Sequence, residues 1–561
     1  MSNFPRTSSS VLKRVPLPPQ DDVNTDSPGG HVDAEAELDR EATGLIQTFF
    51  TRNSFNTSTI FSSLNSQCLC QLLVSEPVEL MVPIPDLLTT STPLSYHVGT
   101  GRQILNYIFN SILIGPESVT HELLFVTCFW AKSASLENLS KTLLELNRLN
   151  TISPRGHRKR NLRIRICVSS TSLFQKLLHT SSSEGYTYPN TAGAYERLGI
   201  PPPEQLENLD VIVKSKFFRP ISVLHGKFVI VDRKRLYLPS CNVSWEEWLE
   251  GMGVFEGSIV NTFLKYYQQV WGDSGESLQG FAEGNVAQAY NETQESAGAI
   301  WTPTPLPPIS VQFNRNTVTP TIFLPQPHHP VFPPLCLVPN CVTNILSTCL
   351  PFRISPSDQL APSTAQNIFM SSLIRQAQNS VFIQTPNLTS PYLLEVLYER
   401  LVRPGHPVHI EIFTNKRMMI LEQIVTTGFG GPSGVSNSKW GATTETCIRE
   451  LLRRLKENIN PFSELNIYYY APLSSTVTQF ADPNEESMFT AQEELGLTRQ
   501  SHVKVMIVDY EATVVGSANG DRASWYTSGE VNLLVFDTQF AQGVRDCLER
   551  GIDNRSERVE R

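Results

Sequence analysis

The sequence predicts an α/β protein of two similar lobes, each a mixed β-sheet flanked by helices, sharing one composite site. Three observations lead there. The run His225-Gly-Lys227-Phe-Val-Ile-Val-Asp232 recurs as His502-Val-Lys504-Val-Met-Ile-Val-Asp509. Ser240 and Asn242 follow the first copy at the spacing with which Ser517 and Asn519 follow the second. Strand-like and helix-like runs alternate around each copy, and 561 residues are enough for more than one lobe. With lysine and aspartate each at roughly 5% usage, the histidines of this chain give about 0.03 chance matches to the first pattern. Two matches, each trailed by Ser and Asn in register, are therefore not coincidence.

Along the chain, residues 1–35 are rich in Ser, Pro and Asp and read as a disordered tail. Residues 36–92 read as a helical extension, with Leu45, Ile46, Phe49 and Phe50 on an apolar face. The first lobe is expected over 93–298. In it His121–Trp130 is a β-branched and aromatic strand, Ser135–Leu149 a helix burying Leu136, Leu139, Leu143, Leu144 and Leu146, and Asn161–Ser170 a half-buried strand. Residues 299–363 are Pro-rich and read as an irregular inter-lobe connection. The second lobe, 364–550, repeats the outline. Its helices fall at Ala365–Asn379, Pro391–Leu401 and Cys447–Glu457, its strands at Ser380–Leu388, His409–Asn415 and Leu465–Ala471. Residues 551–561 form a C-terminal tail. Two loops, 428–441 and 481–494, are candidate lids, a plain surface excursion being the alternative.

Composition is that of an ordinary soluble chain, 40% hydrophobic and 18% charged. A net charge of −9 gives the whole molecule no bias toward nucleic acid. One basic run, Arg155 to Arg160 with Arg163 and Arg165, goes against that trend. It reads as a solvated loop before a strand, contact with anionic lipid or phosphate being the alternative. No leader peptide is evident, and no segment reaches the roughly 20 apolar residues that span a bilayer. The most apolar stretch, Val331–Phe352, is interrupted by Pro333, Pro334, Pro339 and Pro351. The expected location is cytoplasmic, with peripheral membrane contact. The ten cysteines read as reduced thiols; Cys336 and Cys341 near His328 and His329 fit no common zinc template. No metal and no cofactor are expected.

The spacing itself builds a site. His225 and Lys227 are two apart, as are His502 and Lys504, so in extended chain each pair shares a face. Asp232 and Asp509 have the opposite parity and fall at a turn. The returning strand brings Ser240 and Asn242, or Ser517 and Asn519, to the same face. A hairpin in each lobe thus assembles His, Lys, Ser and Asn.

These residues resemble the signature of the phospholipase D superfamily, a duplicated HxKxxxxD followed by Ser and Asn, over roughly residues 96–545. The second copy matches best: His502, Lys504, Asp509, then Gly516-Ser517-Ala518-Asn519, Arg522, Ser524 and Glu530. The first has Pro239 where the family usually has Gly, and no glutamate at the spacing of Glu530; that role falls to Glu250 or Glu256, of which Glu250 is preferred. The resemblance implies two α/β lobes about a pseudo-twofold axis, with His225, Lys227, Asp232, His502, Lys504 and Asp509 catalytic. Ser240, Asn242, Ser517, Asn519, Glu250 and Glu530 would support the phosphate and the rings. It further implies metal-independent phosphodiester cleavage through a phosphohistidine, with His225 as nucleophile and His502 as acid. A neutral imidazole is a competent nucleophile and a protonated one a competent acid near neutral pH. Lys227, Lys504, Asn242 and Asn519 can donate to the non-bridging oxygens.

Three functions follow from this resemblance. The preferred one is a phospholipid phosphodiesterase or phosphatidyltransferase at a membrane surface, including cardiolipin-synthase-like transfer; intact Asp at both motif ends resembles the lipid-acting members. A nuclease is the second, with Trp245, Trp248 and Trp525 either stacking on a strand or packed in the core. A non-catalytic scaffold is the third. Headgroup, acceptor and oligomeric state are not legible.

Overall fold

In the computed structural model the residues described are 29–53, 59–74, 81–113, 118–151, 162–171, 185–218, 222–272, 307–327, 361–418, 443–473 and 496–560. The basic run 155–160, the stretch Val331–Phe352 with its Cys/His group, and both candidate lid loops lie outside them.

The apolar runs named above become strands on almost the expected residues. In the first half Glu122–Phe129, Leu162–Ser170 and Leu209–Ser215 pair in parallel. Phe228–Val231 adds antiparallel to Glu122–Phe129 and turns back as Arg235–Pro239. That strand pairs with Trp248–Glu256, which pairs with Leu88–Thr100. The second half repeats the order. Glu464–Tyr470, His409–Thr414 and Ser380–Gln384 are parallel; Val505–Val508 adds antiparallel and returns as Ala512–Gly516, followed by Glu530–Phe536 and Thr319–Gln326. Leu88–Thr100 also pairs with Thr319–Gln326, so one long strand joins both half-sheets.

Side-chain alternation shows why these strands are apolar throughout. Phe228 and Ile230 belong to one core cluster, Val229 and Val231 to the other, because successive residues point to opposite faces and both faces are covered. Helices Gly101–Leu113 and Ala134–Thr151 cover one face through Ile104, Ile108, Leu136, Leu139, Leu143 and Leu146. Leu144, expected in that stripe, is 39% exposed, since it lies one position beyond the residues that face the sheet. Helices Gly29–Asn53 and Thr59–Val74 join the other cluster through Ile46, Phe49, Phe50 and Leu69, and Gln376 Nε2 donates to Gln67 Oε1 at 2.8 Å.

The Pro-rich stretch 299–363, expected to be an irregular connection, supplies two strands, Ile309–Gln312 and Thr319–Gln326. Its Thr-Ile-Phe-Leu segment is buried (Ile322, Phe323 and Leu324 at 0%), and the prolines at 320 and 325 sit toward the strand ends, where a missing N–H removes least from the ladder. Among the described residues no helix is long and apolar enough to cross a membrane.

Candidate active site

Each motif hairpin closes through two residues in the left-handed region: Asp232 and Arg233 (φ 50° and 56°), and Asp509 and Tyr510 (φ 53° and 55°). Lys234 N donates to Val231 O at 3.0 Å and Glu511 N to Val508 O at 3.0 Å. Positive φ at both central residues suits the right-handed twist of the flanking strands, and Asp tolerates it. The two carboxylates then reach across to the start of the neighbouring strand, Glu122–Phe129 or Ser380–Gln384, which runs antiparallel to the motif strand. Asp232 accepts from the N–H groups of Thr120, His121 and Glu122 at 2.8, 2.7 and 2.9 Å and from the Thr120 hydroxyl at 2.7 Å. Asp509 accepts from Gln378, Asn379 and Ser380 N–H, each at 2.7 Å. Asp232 and Asp509, which the resemblance places among the catalytic groups, sit at the far end of the motif strand from the histidines, and backbone donors occupy them.

His225 and Lys227, and His502 and Lys504, lie in extended chain just before the motif strands, which begin at Phe228 and Val505. Each lysine bends back onto its own histidine's carbonyl, at 2.8 Å for Lys227 and 2.6 Å for Lys504. The carboxylate partners are exchanged between the halves. His225 Nδ1 lies 2.9–3.0 Å from both oxygens of Glu530, and His502 Nδ1 2.9–3.1 Å from both oxygens of Glu250. Backbone pairing enforces the exchange: His225 N donates to Gly529 O at 2.6 Å, His502 N donates to Leu249 O at 2.7 Å, and Gln500–Ser501 pairs in parallel with Trp248–Leu249. Glu256, the rival to Glu250, binds Arg235 instead.

The serines hold the carboxylates. Ser517 Oγ donates to Glu530 Oε2 at 2.5 Å and accepts from Val531 N at 3.0 Å. Ser240 Oγ donates to Glu250 and accepts from Gly251 N at 2.9 Å. The asparagines differ. Asn242 Oδ1 accepts from Phe129 N at 3.2 Å; Asn519 Nδ2 donates to Asp521 at 2.9 Å, and Asp521 caps the short helix Arg522–Tyr526.

Burial governs the charges. His502 is pushed well below its usual range, first by burial and then by Lys504, Lys227 and His225. His225 is lowered for the same first reason, with Glu530 pulling the other way. Burial raises Glu250 to about 8 and drives Lys504 well down. Burial thus favours the neutral forms of both His502 and Glu250. A negative charge brought near would shift this balance toward the protonated forms of Lys504 and the imidazoles. The cluster thus brings together two imidazoles, each with Nδ1 on a carboxylate, and the side chains of Lys227 and Lys504.

Sequence reasoning did not find the exchange of partners, nor Glu246 and Asn415 at the site, and it weighed Trp248 only as a stacking or core residue. The Trp248 ring lies against His502, centroids 4.8 Å apart. Glu246, itself raised by burial, interacts with Lys227 and Glu250. Asn415 braces the second motif. The glutamates escape a register search because Ser240 and Glu250 are 10 apart but Ser517 and Glu530 are 13. Of the tryptophans, Trp525 is buried core and Trp245 is 63% exposed against Phe129.

The duplicated half-sheets carry a paired His-Lys-Glu-Ser constellation, one member of each pair on either half. A family model described as the phospholipase D-like domain of cardiolipin synthase matches residues 370–551. Solved structures similar to it include phosphatidylserine synthase from Haemophilus influenzae Rd KW20 (13% identity, 84% of this chain and 89% of that one, TM-score 0.45). Nuc, a phospholipase D family member from Salmonella typhimurium, is also similar (13% identity, 37% and 95%, TM-score 0.22), as is NucT from Helicobacter pylori (15% identity, 33% and 86%, TM-score 0.21). No curated protein sequence matches the chain.

Proposed function

We propose that the composite site cleaves the phosphodiester of a phospholipid, transferring the phosphatidyl group to water or an alcohol through a phosphohistidine. The observation that carries this is the exchanged pair of ring–carboxylate contacts, His225–Glu530 and His502–Glu250. A carboxylate on Nδ1 fixes the tautomer and leaves Nε2 to attack or to carry a proton. His225 serves as nucleophile: its side chain is 15% exposed against 3% for His502, so a phosphate reaches it more readily. As the His225–phosphorus bond forms, the bond to the leaving alcohol breaks and His502 delivers the proton to that oxygen. Water or a second alcohol then attacks phosphorus, His502 takes its proton, and His225 is released. Lys227 and Lys504 stabilise the equatorial oxygens.

A lipid is favoured by the wall of the site on the first half. Trp245 is exposed there, an amphipathic ring suited to a membrane–water interface. Glu246 adds a carboxylate beside Lys227, unfavourable for a polyanionic strand. The matched cardiolipin synthase domain supports the same substrate class. The protein would then work as a peripheral visitor to the bilayer. Incubation with mixed phospholipids, with and without a primary alcohol, and in parallel with single-stranded DNA, tests this. Phosphatidic acid, or a phosphatidyl-alcohol when alcohol is present, is the expected product; shortened DNA beside intact lipid would replace the lipid reading with a nuclease.

A further inference from the structure

The residue ahead of each motif histidine is held differently in the two halves. Ser501, ahead of His502, is gripped at two points by one side chain. Its N–H donates to Asn415 Oδ1 at 2.7 Å, and Asn415 Nδ2 donates to its carbonyl at 2.8 Å. The same Nδ2 lies 2.9 Å from Pro386 O, and Gln384 Nε2 donates to the Ser501 hydroxyl at 2.8 Å. Asn415 is 2% exposed and follows directly on the strand His409–Thr414, inside the sheet that carries the second motif. In the first half Leu224, ahead of His225, has a single hydroxyl in the corresponding place: its N–H donates to Ser169 Oγ at 2.9 Å.

A carboxamide presents donor and acceptor in one plane, as a peptide does, so Asn415 binds Ser501 as a neighbouring strand would. Leu249 and Trp248 pair with the same short segment from the other half-sheet. We propose that Asn415 is a positioning residue for His502: it fixes the backbone from which the imidazole projects, and so the point in space where the proton is delivered. It touches neither ring nor phosphate. The inference rests on the reading of His502 as the acid, and a displacement of about 1 Å in such a group costs on the order of 10²-fold in rate.

The test compares two phosphodiesters, one with an ordinary alkoxide leaving group and one with p-nitrophenolate, which departs without a proton. His502→Ala sets the reference pattern, a severe loss on the first and a slight one on the second. Asn415→Ala is expected to follow it, with kcat on the alkoxide ester about 10²-fold down, KM little changed and the nitrophenyl ester little affected. Ser169→Ala, on the other half, should lower both esters alike. Equal losses on both esters in Asn415→Ala, while His502→Ala still discriminates, would overturn the inference and leave the enzymatic reading intact. A wild-type protein inert on both esters, or a His502→Ala variant that does not discriminate, would overturn that reading and the inference with it. If Asn415→Ala shows no melting transition, Gln384→Leu, which removes only the bond to the Ser501 hydroxyl, must show the same selectivity in milder form; its absence counts against the proposal.

Discussion

Past the asparagine that ends each motif, the two halves of the site part company. After Asn519 the chain enters the helix Arg522–Tyr526, capped by Asp521. Trp525 disappears into the core with its indole N–H on Asn519 O at 3.1 Å. After Asn242 the chain instead runs as an open loop to the strand Trp248–Glu256, and Trp245 stands in solvent against Phe129. The histidines share the contrast: His502 and its glutamate are both sealed, whereas His225 keeps an accessible edge over a sealed partner. The hairpins, lysines and turn aspartates are nearly superposable in their contacts. Both halves keep the same hairpin, lysine, glutamate and serine parts, while their surroundings differ, one half closing over its histidine and the other leaving an open face.

The comparison breaks most directly at the rings. His225→Ala and His502→Ala should each lower turnover of a lipid ester by about 10⁴-fold or more, by analogy with loss of one member of a catalytic unit, with the melting transition retained. A His502→Ala enzyme that stays active on alkoxide esters would end the two-histidine account. The exchanged carboxylates come next. Glu530→Gln and Glu250→Gln should each cost about 10²- to 10⁴-fold, since an amide no longer selects the productive tautomer. Double-mutant cycles should couple Glu530 with His225 and Glu250 with His502; stronger coupling within each half would contradict the crossing.

The turn aspartates should behave otherwise. Asp232→Ala and Asp509→Ala are expected to cost about 2 kcal/mol of stability each, the value of charge-assisted bonds to backbone N–H groups, while turnover at a permissive temperature stays within about threefold. Denaturant titration beside steady-state kinetics separates the two effects. The smallest effect sharpens the contrast in burial. Glu250 holds its proton to about 8 when folded and to 4.5 at its ordinary value. Its contribution to stability is therefore complete below pH 4.5, declines as pH rises and is gone above about 8. His502, depressed from 6.5, has the opposite sign and loses its contribution as pH falls below 6.5. Tm of the wild type minus that of Glu250→Gln should fall by a few degrees between pH 5 and 8; a flat difference would mean the carboxylate titrates normally.

Much of the scaffold was legible because strand periodicity and motif spacing are local. Phe228–Val231 and Val505–Val508 read as fully buried strands, and the parity of Asp232 and Asp509 already placed them at a turn, apart from the His–Lys face. What misled was equally local. Prolines at 320 and 325 disguised a sheet strand whose apolar centre was in plain view. Leu144 shows the limit of counting leucines, since only their angular position decides which are buried.

The sequence alone determined that two copies of one polar constellation would each be assembled by a hairpin, because side-chain alternation and turn chemistry act over a few residues. Only the tertiary structure decided which carboxylate holds which ring. His225 and Glu530 are 305 residues apart, and their contact depends on how the two half-sheets dock along Leu88–Thr100 and on the backbone bonds of His225 to Gly529 and His502 to Leu249. Pairing across that interface is a property of packing between halves, which no spacing within either half encodes.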